Sequence, residues 1–259
     1  MKFLQVSDEP FYQIDYLSSG PRGETRYLTL PFFKAIVDAL PTGIQCLVIT
    51  SDLQGRELNR TTNRLIGELV AEELKILVEL GEIPNIDLIA LAGDLYDYPD
   101  LQKLGGTGDI TCVWNAFCEN FDHLVGVHGN HDLVDDQLLS SKAIVLDGTC
   151  VEINRLKIGG VSGIIGRSDR NQRKNQQDFE QALKRVLKSK TDLILLHQGP
   201  KDRVNNQFGE GFITDMLEKS GHSILAFGHC HWDKPFIEIG NNQVLNVDNR
   251  LYVITAANA

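Results

Sequence analysis

The chain has 259 residues, 42% of them hydrophobic, and a formal net charge of −10; that length fits one large α/β domain spanning 1–259. The acidic balance disfavours a protein that grips long nucleic acid through its phosphates, yet divalent cations held in a site still attract phosphate substrates. Cys46, Cys112, Cys118, Cys150 and Cys230 form neither a disulfide framework nor a zinc knuckle, which favours a reducing compartment.

Met1 to Asp8 lacks a long apolar core and meets acid at once, so it predicts a strand rather than a signal peptide. No run approaches the length of a membrane span, and a cytoplasmic protein without a membrane partner is expected. Glu9 to Thr29, punctuated by Pro10, Gly20, Pro21 and Gly23, predicts irregular chain. Pro31 predicts the opening of a short helix from Phe32 to Leu40. The apolar run Cys46 to Thr50 predicts a buried strand, followed by a helix from about Thr61 to Leu80. In that helix Leu65, Ile66, Leu69, Val70, Leu74 and Leu77 recur at helical spacing. Gly81 and Pro84 end it before a strand at Leu88 to Ala92, making a strand–helix–strand crossover. A Gly-rich loop from Tyr98 to Ile110 precedes a helix at Val113 to Asn120 and a strand at Leu124 to Val127.

Shorter strands are expected at Ala143 to Leu146, Cys150 to Ile153 and Leu156 to Val161. A basic stretch, Arg167 to Gln177, leads into a helix from Asp178 to Lys188. Strands at Leu193 to Leu196 and Ser223 to Phe227 follow. The runs Phe236 to Ile239, Val244 to Val247 and Leu251 to Ile254 predict an antiparallel second sheet. Parallel strands first and antiparallel strands last imply two sheets packed face to face with helices outside.

Five predicted strands end in metal-ligand side chains: Ser51-Asp52-Leu53-Gln54, Gly93-Asp94, Gly129-Asn130-His131-Asp132, His197, and Gly228-His229-Cys230-His231. In an open α/β sheet, ligands bind in the crevice at the carboxyl ends of the strands. Two Asp, one Asn, one Gln and three His suit a pair of first-row divalent ions better than Ca²⁺ alone. Two ions about 3.5–4 Å apart need a shared ligand, and Asp94 is the natural bridge.

These ordered strings resemble the calcineurin-like metallophosphoesterase superfamily, whose pattern is D-x-H, G-D, G-N-H-D/E, H and G-H-x-H. The resemblance spans Asp52 to His231. It implies a four-layer αββα sandwich of two mixed sheets flanked by helices, and a metal-dependent phosphoesterase acting by attack of metal-bound hydroxide. Carried over residue by residue, it gives one ion Asp52, Gln54, Asp94 and His231, and the other Asp94, Asn130, His197 and His229. His131, not a ligand in the family, would be the general acid that protonates the leaving oxygen or would otherwise stabilise the transition state, with Asp132 orienting it. The departure is Gln54, which stands where the family has the His of D-x-H. A Gln there resembles the manganese-dependent ADP-ribose/CDP-alcohol diphosphatase branch, so Mn is the leading metal, with Fe, Zn or Mg as alternatives.

The individual signals differ in strength. A lone Gly-Asp is usually a turn or cap, and His197 alone reads equally well as a satisfied core histidine. Gly-Asn-His-Asp joins three chemistries at one turn and is far more specific. Asp8 is a second candidate for the opening motif, but Glu9-Pro10 follows it where x-His should be, so Asp52 is preferred. Asp97 reads as a brace for its loop or as a solvated cap. Arg167, Arg170 and Arg173 are candidate phosphate-binding residues, against a solvated loop as the bland alternative. The substrate expected is a small, nucleotide-like phosphorylated molecule or a phosphodiester. The rivals are a scaffold that has lost catalysis, for which Gln54 is the sole support, and a nuclease acting on short nucleic acid.

Overall fold

The computed structural model describes residues 1–257. Two mixed sheets carry the fold. The first runs, in spatial order, Phe3–Val6, Thr25–Val37, Arg250–Ala256, Cys46–Ser51, Leu88–Leu91, Leu124–Gly126 and Ala143–Val145, with Tyr12–Ser19 also paired to Thr25–Val37. The second runs Thr149–Ile153, Leu156–Val161, Leu193–Gln198, Ile224–Gly228, Asn242–Asn246 and Phe236–Ile239.

The strands are apolar on both faces because both faces are covered. Between the sheets, Phe33, Leu47, Ile49, Leu88, Ala90 and Val125 of the first meet Ile158, Leu193, Leu195, Ile224 and Leu245 of the second. Helices α1 (Ile66–Glu79) and α2 (Thr111–Asn120) cover the outer face of the first sheet with Val70, Leu74, Trp114 and Phe117. Helices α3 (Gln176–Lys188) and α4 (Gly211–Glu218) cover the second with Phe179, Leu183, Ile213 and Leu217. The result is the four-layer αββα sandwich of the metallophosphatase fold.

Three sequence expectations are corrected. The helix expected at Phe32 to Leu40 is the strand Thr25–Val37. Its side chains alternate, Leu30 and Phe32 toward α1 and α2, Phe33, Ala35 and Val37 toward the other sheet. Burial on both faces erased the polar half of the alternation, and Pro31 looked like a helix start. The segment expected to be irregular contains the strand Tyr12–Ser19, a hairpin partner of Thr25–Val37. The last three runs do not form one antiparallel sheet. Asn242–Asn246 lies parallel to Ile224–Gly228, and Arg250–Ala256 crosses to the first sheet, between Thr25–Val37 and Cys46–Ser51. That crossing carries residues 247–249 over the carboxyl ends of the strands. Val247 N–H donates to the Phe227 carbonyl (2.8 Å) and Asn249 N–H to the Ser51 carbonyl (3.2 Å).

Among the described residues no helix is long and apolar enough to cross a membrane.

Candidate metal centre

The parallel strands Cys46–Ser51, Leu88–Leu91 and Leu124–Gly126 of one sheet, and Leu193–Gln198 and Ile224–Gly228 of the other, deliver their tips to one crevice. The turns there are tight. Asp52 (φ 56°), Asp94 (φ 56°) and His229 (φ 69°) all adopt left-handed backbone, a conformation that costs non-glycine residues free energy and concentrates at functional sites. Two motif glycines exist for space. A Cβ on Gly129 would overlap Asp94 Oδ1, and one on Gly228 would overlap Asp52 Oδ2 and Ser51 Oγ.

The ligand atoms of Asp94, His197 and His229 lie within 4.8 Å of one another. His197 is completely buried; its Nδ1 pairs with the Ala92 carbonyl at 2.8 Å, which leaves Nε2 facing Asp94 Oδ2 at 3.2 Å. That Nε2 and Asn130 Oδ1 are both buried and have no hydrogen-bond partner. Unsatisfied buried polar atoms are rare in folded proteins; His197 Nε2 is one, clustered with Asp94 and His229, and Asn130 Oδ1 is another, one residue before His131, whose main-chain N–H binds Asp94. The set O, O, N, N fits a first-row divalent ion.

The electrostatics agree. Burial lowers the His197 imidazole, but the charge of Asp94 close by, helped by Asp52, overrides this and lifts it to about 10. Burial raises Asp94, and His197 together with His131 holds it below the ordinary carboxylate value nonetheless. Burial, and then the charge of Asp248, push Asp52 well up. His229 is depressed to about 4 by burial and by His197. Carboxylates this close call for positive charge, and a proton on His197 competes with a metal ion for the same lone pair.

Gln54 joins Asp52 and Asp94 in lining an open cavity of about 350 Å³ together with Tyr16, Leu104, His131 and Asp248. Its Nε2 lies 3.4 Å from Asp94 Oδ2, and half a turn of the carboxamide would present its oxygen instead. His131 sits at the rim, its main-chain N–H donating to Asp94 Oδ1 (2.9 Å) and its Nδ1 3.3 Å from Thr107 Oγ1. Asp132 does not orient that ring. Its Oδ2 accepts from the N–H groups of Asp94 (2.8 Å) and Gly129 (2.7 Å), and its Oδ1 from Leu95 (2.8 Å). Burial and the charge of Asp94 raise its carboxyl to about 6.

The His231 ring is engaged by its neighbours: its Nε2 is 2.9 Å from Arg250 Nη2, and its Nδ1 is 3.3 Å from the Asp248 carbonyl. Arg167, Arg170 and Arg173 are not among the residues around the cavity. Arg167 pairs with Asp169 in solvent (2.6 Å), and Arg173 belongs to a two-residue strand beside Ile164–Ile165. The same loop reaches the centre through Asn171 instead, whose Nδ2 donates to the Asp132 carbonyl at 2.9 Å. Asp97 is a brace: it is buried, accepts from Ser19 N–H (2.8 Å) and Tyr98 N–H (2.8 Å), and its carbonyl accepts from Arg56. Asp8 lies beyond the first strand, exposed. Asp248, Asn249 and Tyr16 are cavity residues that no motif marked.

Residues 47–233 match the model of the calcineurin-like phosphoesterase family, and the chain belongs to that family, whose members are in general metal-dependent phosphoesterases. No curated protein matches it. One solved structure is similar with a TM-score of 0.56 at 12% identity, covering 81% of this chain and 91% of its own. Phosphopantetheinyl hydrolase (PptH) from Mycobacterium tuberculosis is similar at 0.48 and 13% identity, covering 80% and 90%. A hypothetical protein from Thermus thermophilus gives 0.41 at 14%, covering 78% and 75%. At 12% identity the first of these likenesses concerns the fold alone.

Proposed function

We propose that the cluster around Asp94 holds two divalent ions, and that the protein hydrolyses a phosphoester or phosphoanhydride bond in a small, nucleotide-like molecule. The observation that carries this reading is the buried His197 Nε2, without a hydrogen-bond partner and clustered with Asp94 and His229, together with the likewise unpartnered Asn130 Oδ1 in the neighbouring turn. One ion is assigned Asp94, Asn130, His197 and His229; the other is assigned Asp52, Gln54, Asp94 and His231, with manganese the leading candidate because oxygen donors predominate there. Such ions supply Lewis-acid charge to a phosphoryl oxygen and lower the pKa of water.

The chain's own residues do the rest. Asp132 fixes the Asp94 and Gly129 turns, so the bridging carboxylate does not have to reorganise when substrate binds. His131, partly exposed and lining the cavity, is the group that gives a proton to the leaving oxygen. Tyr16, Leu28 and Leu104 line the cavity and offer apolar contact to whatever the phosphoryl group carries. A cavity of about 350 Å³ lies at the small end of the range for ligand pockets, roughly 300–1,000 Å³, and favours a small molecule over a duplex. The test is hydrolysis of nucleotides, dinucleoside polyphosphates, cyclic nucleotides, nucleotide-sugars and a short single-stranded oligonucleotide, each with Mn²⁺, Fe²⁺, Zn²⁺ or Mg²⁺. Turnover of a small nucleotide that chelation stops and Mn²⁺ restores is expected. Turnover indifferent to chelation, or confined to the oligonucleotide, would refute the reading.

A further inference from the structure

A proton donor is effective only when its ring is held in the right orientation, and neither carboxylate of the neighbouring motifs holds His131. Asp132 is taken up by the N–H groups of Asp94, Leu95 and Gly129, and Asp97 by Ser18, Ser19 and Tyr98. Among the described residues the ring has one hydrogen-bond partner, the Thr107 hydroxyl, 3.3 Å from Nδ1. Thr107 lies in the Gly-rich loop, where no motif marks it.

That loop is tied to His131 itself. Its residues Gly108–Asp109 pair in parallel with Asp132–Leu133; Gly108 N–H donates to the His131 carbonyl (3.1 Å) and Ile110 N–H to the Leu133 carbonyl (2.9 Å). A side chain at Gly106 or Gly108 would overlap the rings of Tyr98 and Tyr96, so the glycines let the backbone lie on this edge-to-face pair (5.7 Å). Gly105 lies by the far edge of the imidazole. A Cβ there would stand 3.4 Å from His131 Cε1 and 3.7 Å from Nε2, and Gly105 lines the cavity with His131 and Leu104. The loop thus engages Nδ1 through Thr107 and places a residue without a side chain beside Nε2.

We propose that Thr107 is the positioning residue of His131: its hydroxyl oxygen accepts from Nδ1–H, which leaves the Nε2 proton as the one to be given away. As a water oxygen bonds to phosphorus and the bond from phosphorus to the leaving oxygen breaks, that oxygen takes the Nε2 proton. The ring is left neutral, with Nδ1–H still on Thr107.

This rests on the hydrolase reading, with His131 as the acid. The full-length chain loaded with Mn²⁺ is assayed on the p-nitrophenyl and methyl esters of thymidine 5′-monophosphate; p-nitrophenolate leaves without a proton, whereas methanol needs one. Wild type inert on both would fail the hydrolase reading for phosphodiesters, and the proposal with it. Thr107 is exposed, and Thr107→Val keeps its shape, so an unchanged melting curve and metal content are expected. Its kcat on the methyl ester should fall ~10–100-fold, what a hydrogen bond to a charged group is worth, with KM unchanged and the p-nitrophenyl ester little affected. Thr107→Ser should restore the rate, and Thr107→Val should add nothing in a His131→Ala background, as expected of a residue that acts only through another. A wild type that cleaves only the p-nitrophenyl ester, an equal loss on both esters, a raised KM, or a further loss in His131→Ala would overturn the proposal while leaving the hydrolase reading intact.

Discussion

Replacing Asp132 separates two roles for a carboxylate beside a catalytic histidine. The side chain is fully buried and accepts three main-chain N–H groups, two on Oδ2 and one on Oδ1. Asp132→Ala removes both acceptor oxygens and strands three donors without water. At about 1–2 kcal/mol for each such bond, the loss is roughly 3–6 kcal/mol, a large share of the 5–15 kcal/mol that typically holds a domain together. Asp132→Asn can place its one oxygen where Oδ2 serves Asp94 and Gly129, and then its NH2 opposes Leu95 N–H; that single mismatch costs about 1–3 kcal/mol. Urea unfolding of chelated protein measures both variants without contributions from bound metal. The ordering Ala worse than Asn, by about 2 kcal/mol at the middle of these ranges, is expected. If both variants unfold within about 0.5 kcal/mol of wild type while turnover collapses, Asp132 acts on His131 and the backbone-clamp argument fails.

Other substitutions probe separate parts of the centre. His131→Ala should keep its metal and lose about 10²–10⁴-fold in turnover, the usual contribution of a positioned acid; metal content and rate are measured on the same preparation. Gly228→Ala forces a methyl group into Asp52 Oδ2 and Ser51 Oγ, so a destabilisation of about 1–3 kcal/mol together with weaker metal binding is expected, and calorimetry with and without Mn²⁺ reads both. Arg167→Ala should leave KM and kcat within about 2-fold of wild type and stability within about 0.5 kcal/mol, since its partner Asp169 is as exposed as it is; a large rise in KM would show that the basic loop closes on substrate.

The readable part of this molecule is where function interrupts an apolar strand. Asp52, Asp94, Asn130, His197 and His229 each follow a run that predicts a buried strand, and such tips must converge if the strands are parallel. Other features have no local signal. Asp248 reaches the cavity because residues 247–249 cross from one sheet to the other, a consequence of strand order that composition cannot reveal. The engagement of His231 depends on Arg250, nineteen residues away in sequence. The strand Thr25–Val37 was hidden by its own burial: with Leu30, Phe32, Phe33, Ala35 and Val37 all inside, period-two alternation disappears. Asp132 kept its motif position, yet its partners proved to be main-chain groups, which side-chain patterns do not encode.

Metal stoichiometry in three chains tests the shared carboxylate most directly. Elemental analysis after equilibration with Mn²⁺ should find two ions per chain in wild type, one in Asn130→Ala and none in Asp94→Ala. Asp94→Ala retaining a full complement, or losing no more than Asn130→Ala does, would contradict a centre organised around one bridging residue.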